Sequence, residues 1–134
     1  MRLGSLASMR SVLLLALLGA ALAACQSKPT APTPDRNALS IMERVAVSAN
    51  SCWFKSGDAT FASYRLAPEL NSFTGRPRIL VVHKGSPESR PLLVVQAEGS
   101  PAKLDAFGPM MTGPASSRIS SDVVRWANGN KSCN

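Results

Sequence analysis

The chain predicts an α+β domain: an antiparallel meander of three or four strands, flanked by an N-terminal and a C-terminal helix and closed by one disulfide. Three observations predict it. Between residues 38 and 49 apolar side chains recur every three or four positions, the period of a helix with one buried face. Residues 78–84 and 91–98 are largely aliphatic and β-branched runs joined by a turn-rich stretch, the pattern of two neighbouring strands. A second helical pattern follows residue 120.

Asp35 is placed to cap the first helix, whose apolar stripe is Ala38, Ile41, Met42, Val45 and Ala49, with Glu43 and Arg44 on the other side. The stripe reads as core rather than as a partner-binding face. Cys52 and Trp53 sit just past the helix end, and Gly57-Asp58 marks a turn. Phe61–Leu66 reads as a strand that Pro68 interrupts, because proline has no N–H to give a ladder. Asn71–Pro77 is turn-rich. Arg78–Lys84 is the clearest strand and Pro91–Glu98 the next, joined through Gly85–Arg90 as an antiparallel hairpin. Leu80-Val81-Val82 with Gly85-Ser86-Pro87 is echoed by Leu93-Val94-Val95 with Gly99-Ser100-Pro101, which reads as shared turn chemistry rather than a repeat architecture. Lys103–Phe107 is expected to add a short edge strand or a turn of helix, and Gly108–Ser117 an exposed loop. Ser120 or Ser121 is expected to cap the last helix, with Asp122 at its positive end and Gly129 as its stop. Val123, Val124, Trp126 and Ala127 are its expected buried side.

The two clear strands are apolar on both faces. Ile79 and Val81 alternate with Leu80 and Val82, and Leu92 and Val94 with Leu93 and Val95. Strands of this kind call for cover on both sides. With two short helices available, either the helices split across the sheet or part of one face stays open to a partner.

The N-terminus has a different organisation. Arg2 and Arg10 are followed by a charge-free run, Val12–Ala24, that ends in Leu22-Ala23-Ala24-Cys25. Its 13 residues fall short of the roughly 20 that span a bilayer but suit the apolar part of a secretory leader. These residues resemble the lipobox of bacterial lipoprotein precursors. The resemblance covers about the first 25 residues and implies three things: removal of residues 1–24, acylation of Cys25, and residence in the bacterial cell envelope. Gln26 in place of an aspartate resembles the default for outer-membrane sorting, with the domain facing the periplasm. Residues 25–34 then form a lipidated, Pro-rich tether, and residues 35–134 one small domain. The nine residues Gln26–Pro34 contain three prolines and, at ~3.1 Å per residue, span about 28 Å.

Arg2 and Arg10 leave with the leader, so 13 Lys and Arg face 8 Asp and Glu, a net charge near +5. In an exported protein such a surface suits anionic headgroups, glycolipids or acidic glycans. A nucleic-acid partner is not expected, since the basic residues are scattered and an envelope lipoprotein seldom meets one. With Cys25 acylated, Cys52 and Cys133 remain, an even pair that reads as a disulfide closing a loop of about 80 residues. No Cys-x-x-Cys or Cys/His cluster favours a metal, and no cofactor motif is present.

Catalytic patterns are missing too: there is no Gly-x-Ser-x-Gly elbow and no His-Glu-x-x-His, and His83 is the only histidine. The nearest thing to a site is a set of cations, Arg65, Arg76, Arg78, Lys84 and Arg90, of which the last four should reach the sheet's margins, though not all at one end. They read either as a solvated rim or as a patch for phosphate, carboxylate or a protein partner. The expected function is therefore non-catalytic: a membrane-anchored lipoprotein that binds an envelope protein or an anionic glycolipid. Two rivals are a small periplasmic enzyme acting on a glycan or lipid, and an inhibitor of an exported enzyme that uses Gly108–Ser117. At about 0.8 kcal/mol per buried CH₂, two or three acyl chains on Cys25 make attachment effectively permanent. Cys25→Ser should leave the protein unprocessed or free of membrane; an intact mass showing unmodified Cys25 in the wild type would remove the anchor.

Overall fold

The computed structural model describes residues 33–134; the expected leader, Cys25 and the expected tether as far as residue 32 lie outside the described residues. The order is α1 (Ala38–Ala49), a π-helical turn (Asn50–Lys55), a 3₁₀ turn (Ala59–Phe61), β1 (Tyr64–Glu69), β2 (Arg78–His83), β3 (Leu93–Gly99), β4 (Ala102–Phe107), a second 3₁₀ turn (Pro109–Thr112) and α2 (Ser116–Ala127). The strands form one antiparallel sheet in the order β1-β2-β3-β4, a meander. The fold is thus α+β, with a helix on either side of the sheet in sequence and a Cys52–Cys133 disulfide.

The helix cap lies two residues later than expected. Asn37 accepts the Ser40 N–H at 2.9 Å, while Asp35 holds Asn37 itself through both its backbone N–H and its amide. All five stripe residues of α1 are buried. The helix does not stop at Ala49 but widens into the π-turn, which carries Cys52 and Trp53 into the core.

Pro68 does not end β1. The strand is at the sheet's edge, so a residue without an N–H can sit opposite Ile79 while its nitrogen faces outward. Phe61 belongs instead to the 3₁₀ turn and is buried.

Both helices lie on one face of the sheet. Ile79, Val81, Leu93, Val95 and Ala97 share a single core with α1, the π-turn, and Ile119, Val123 and Trp126 of α2. On the other face the register lines up Ala67, Leu80, Val94 and Phe107 across all four strands. Val82 and Val94 are buried among their neighbours but stand outside that core, and Phe107 is exposed.

Two expectations near the C-terminus are corrected. Gly108–Ser117 is no free loop: Met110 and Met111 pack against the core, and the Met110 N–H donates to Leu92 O at 2.9 Å. Gly108 permits that approach, with φ at +120° and a would-be Cβ only 2.6 Å from the Leu92 carbonyl oxygen. α2 therefore starts at Ser116, a turn earlier than a Ser120 or Ser121 cap implies, and those two serines face solvent. Val124 is exposed and Ile119 takes its place in the core. Gly129 does end the helix, in the left-handed region at φ +91°.

Asp122, expected near the helix start, is buried in mid-helix. It accepts Trp53 Nε1–H at 2.8 Å and pairs with Arg125 at 2.5 Å. Arg125 Nε and Trp126 Nε1 both donate to Ser132 O, which draws the C-terminal tail back to where Cys133 meets Cys52. The cross-link spans 81 residues of sequence, so loop-closure entropy contributes up to about 4–5 kcal/mol. That is comparable to the whole net stability of a small domain. Thiol labelling of the denatured, unreduced protein should find Cys52 and Cys133 blocked. The Cys52→Ala/Cys133→Ala double variant should unfold at markedly lower urea than the wild type; an unchanged midpoint would show that the cross-link adds no stability.

Candidate ligand-binding groove

The cations singled out by the sequence divide between two ends of the sheet. Arg76 and Arg78 stand where β2 begins, and each has a carboxylate: Glu98 at 2.7 Å and Glu69 at 2.6 Å. These exposed pairs contribute little stability, but they cancel the local charge. Lys84 follows the far end of β2, about 20 Å away at the usual strand rise. Arg90 lies in the β2–β3 connection at that same end, with Glu88, and Arg65 sits opposite Val82 on the neighbouring strand. Among the described residues neither Arg65 nor Arg90 has an ion-pair partner. Of these five cations, the three without a carboxylate therefore gather at one end.

Beside it the π-turn runs against β1 and borders an open groove of about 460 Å³. Asn50 and Phe54 come from the turn, Tyr64, Arg65 and Leu66 from β1, and Lys84 closes one end. The floor is aromatic: Trp53 stacks on Phe61 at 4.7 Å with the rings 10° apart, and Phe54 tilts against Phe61 at 5.4 Å. Tyr64 packs at 5.1 Å from the ring of His83, which is exposed. Lys84 is fixed at both ends, its N–H on Ser63 O and its Nζ on Ala62 O at 2.7 Å.

Asp58 is the carboxylate of this groove. The Arg118 guanidinium bonded to it holds its carboxyl below the usual range, helped by the Thr60 N–H at 2.9 Å and opposed by partial burial. The same bond raises Arg118. Asp58 is therefore committed to a structural pair, and Arg118 extends that pair towards Asp122 at 3.6 Å.

A second hollow, of about 400 Å³, lies where the chain enters α1 and is lined by Arg44 among others. One Arg44 nitrogen donates to the carbonyls of Asp35 and Ala127, both at 2.8 Å, while its buried Nε has no partner among the described residues. Arg44 serves there to fasten the entering chain to the end of α2. Among the described residues no group of three or more His, Cys, Asp or Glu could hold a metal ion, and no helix is long and apolar enough to cross a membrane.

No known protein family matches the sequence, and neither a curated protein nor a solved structure is similar to it. The reading of the groove rests on its own chemistry.

Sequence reasoning reached Arg65 and Lys84 but missed Asn50, Phe54 and Tyr64. A signal was present: four of the seven aromatic residues fall between residues 53 and 64. The fold turns that density into a site by setting the π-turn beside an edge strand.

Because the folded pKa of Asp58 is depressed, its contribution is present above the ordinary value near 3.8 and is lost as pH falls through the lower folded value. Asp58→Asn should lower stability at neutral pH and flatten the acid limb of the stability–pH curve. The Arg118 side chain is 44% exposed, so screening holds the loss to about 1 kcal/mol or less. Urea titrations from pH 7 to pH 2.5 measure both; identical acid limbs would dismiss the pair.

Proposed function

We propose that this protein is a lipid-anchored binding module of the bacterial cell envelope, held at the outer membrane and facing the periplasm, that engages an anionic envelope polymer or a protein partner without catalysing a reaction. The observation that carries the reading is Leu22-Ala23-Ala24-Cys25 behind a charge-free run, with a Pro-rich spacer and one cross-linked domain after it. The groove supports the binding half. It joins aromatic surface to cations that no carboxylate of the described domain neutralises. Of the five cations singled out by the sequence, Lys84, Arg90 and Arg65 have no carboxylate partner among the described residues, whereas Arg76 and Arg78 are compensated.

The enzyme reading is weaker on the same geometry. Work on a glycan needs an acid and a base near one another, or two carboxylates. Asp58 is kept ionised by Arg118 and is committed to it, and the ring neighbour of His83 is Tyr64. The inhibitor reading loses its segment, since Met110 and Met111 are packed on the core.

A photoreactive residue in place of Ala62, an exposed position on the groove's lining outside its cations, carried by the full chain in intact cells, should capture an envelope glycan or protein. The same residue in place of Arg78 should capture it less well, and Cys25→Ser should abolish capture. Equal capture from both positions, surviving the loss of Cys25, would overturn the reading.

A further inference from the structure

The groove between the π-turn and β1 falls within the roughly 300–1,000 Å³ that small ligands occupy, and its walls have a definite chemical order. Phe54 and Tyr64 are half-buried and Leu66 stands with them, so the interior is ring and aliphatic surface over the dry floor of Trp53 and Phe61. Around that surface stand neutral polar groups. The Asn50 amide and the Tyr64 hydroxyl have no hydrogen-bond partner among the described residues. At the rim are Arg65, unpaired among the described residues, and Lys84, which uses one of its three donors on Ala62. The carboxylate that would repel an anion, Asp58, is neutralised by Arg118.

Few ligand classes satisfy all three kinds of wall. A bare phosphate or sulfate would use the cations and leave the aromatic surface idle. An apolar ligand would cover the aromatics and strip water from Asn50 and Arg65 without replacing it, which costs free energy. A pyranose ring carrying a carboxylate meets each need. The C–H face of the ring packs on an aromatic side chain, its hydroxyls exchange hydrogen bonds with an amide and a phenol, and its carboxylate takes charge-assisted bonds from guanidinium and ammonium. The frame is already set, since Cys52 is cross-linked and Trp53 is held by Asp122, so little ordering remains for the ligand to impose.

We infer that this groove binds one carboxylate-bearing sugar residue of an envelope glycan. The inference rests on the proposed tethered binding module and names the ligand of its site. Phe54 and Tyr64 stack the ring, Asn50 reads its hydroxyls, and Arg65 with Lys84 holds its acid group.

The test is a titration of the isotope-labelled full chain in detergent micelles, followed by amide shifts. Three compounds serve: tetragalacturonate, its methyl ester, and deacylated lipopolysaccharide core, whose acidic sugar has a different origin. At least one acidic compound should produce saturable shifts centred on Asn50, Phe54, Tyr64, Arg65 and Lys84. Preference for the core assigns the sugar to a glycolipid, and preference for the galacturonate to a polysaccharide; either supports the site. The ester and the Arg65→Gln variant should each weaken binding about tenfold, the scale of one charge-assisted hydrogen bond. Arg76→Gln at the other end of the sheet should leave it unchanged. Amide spectra of the free variants confirm that they are folded. Equal binding of acid and ester, shifts centred on Arg76 and Arg78, or no saturable shift with either acidic compound at ~10 mM, far weaker than a specific site, would each overturn the sugar site. Failure of the sugar site is distinguishable from failure of the module, because the crosslinker at Ala62 leaves Arg65 and Lys84 in place and still reports a different partner in cells.

Discussion

Trp53 ties together the π-turn, the first 3₁₀ turn and α2. Its ring lies flat on Phe61 and tilts against Trp126 at 5.0 Å, while its N–H reaches the buried carboxylate of Asp122 on α2. The residue before it is cross-linked to the C-terminal tail. A buried indole N–H without an acceptor, or a buried aspartate without donors, would cost free energy; each answers the other, and Arg125 completes the charge. The two helices make their principal join here, at the end of α1 and the middle of α2, with the π-turn between them. Asp122 is consequently the one acidic residue that the fold cannot place in water.

From that join the sheet's asymmetry follows. Both helices pack on one face with the main core, and of the strands' second apolar set Val82 and Val94 are buried outside that core while Leu80 is half-buried. Charged neighbours on that face pair across strands, as Arg78 does with Glu69. Arg76 and Arg78 are compensated at one end of the sheet, whereas Arg65, Lys84 and Arg90 at the other have no ion-pair partner among the described residues. The π-turn, which carries Trp53 into the core before the chain reaches β1, lies beside Arg65 and Lys84. The groove is thus a by-product of the core's geometry that happens to have cations at its rim.

Much of the fold is legible in the sequence. Period 3.6 at Ala38–Ala49 and the aliphatic runs at 79–82 and 92–95 reflect burial, which imposes its pattern on sequence directly. What escapes are features set by tertiary context. Pro68 reads as a stop, yet an edge strand has no ladder on its outer side. Asp122 reads as a cap, because a carboxylate near serines fits a helix start, and only the position of Trp53 reveals why it is buried. Gly108–Ser117 resembles a loop by composition, whereas its methionines fill space beside α2. The site is half legible: its cations are visible in sequence, but which of them keep their charge depends on cross-strand register. Glu69 and Glu98 give no local sign that they neutralise Arg78 and Arg76.

The proposed anchor changes what the groove has to achieve. A shallow site with a few aromatic contacts and two cations binds weakly, since each charged contact at a wet rim is screened within about 8–10 Å at physiological salt. The proposed tether, however, would keep the domain close to the membrane, where an envelope glycan would stand at a high effective concentration. Weak recognition then suffices for steady occupancy, and many anchored copies on one polymer add further avidity. The same reasoning explains why a domain this small would depend on a disulfide. In the proposed envelope setting, the cross-link between the π-turn and the chain end would secure the part of the fold on which the groove is built.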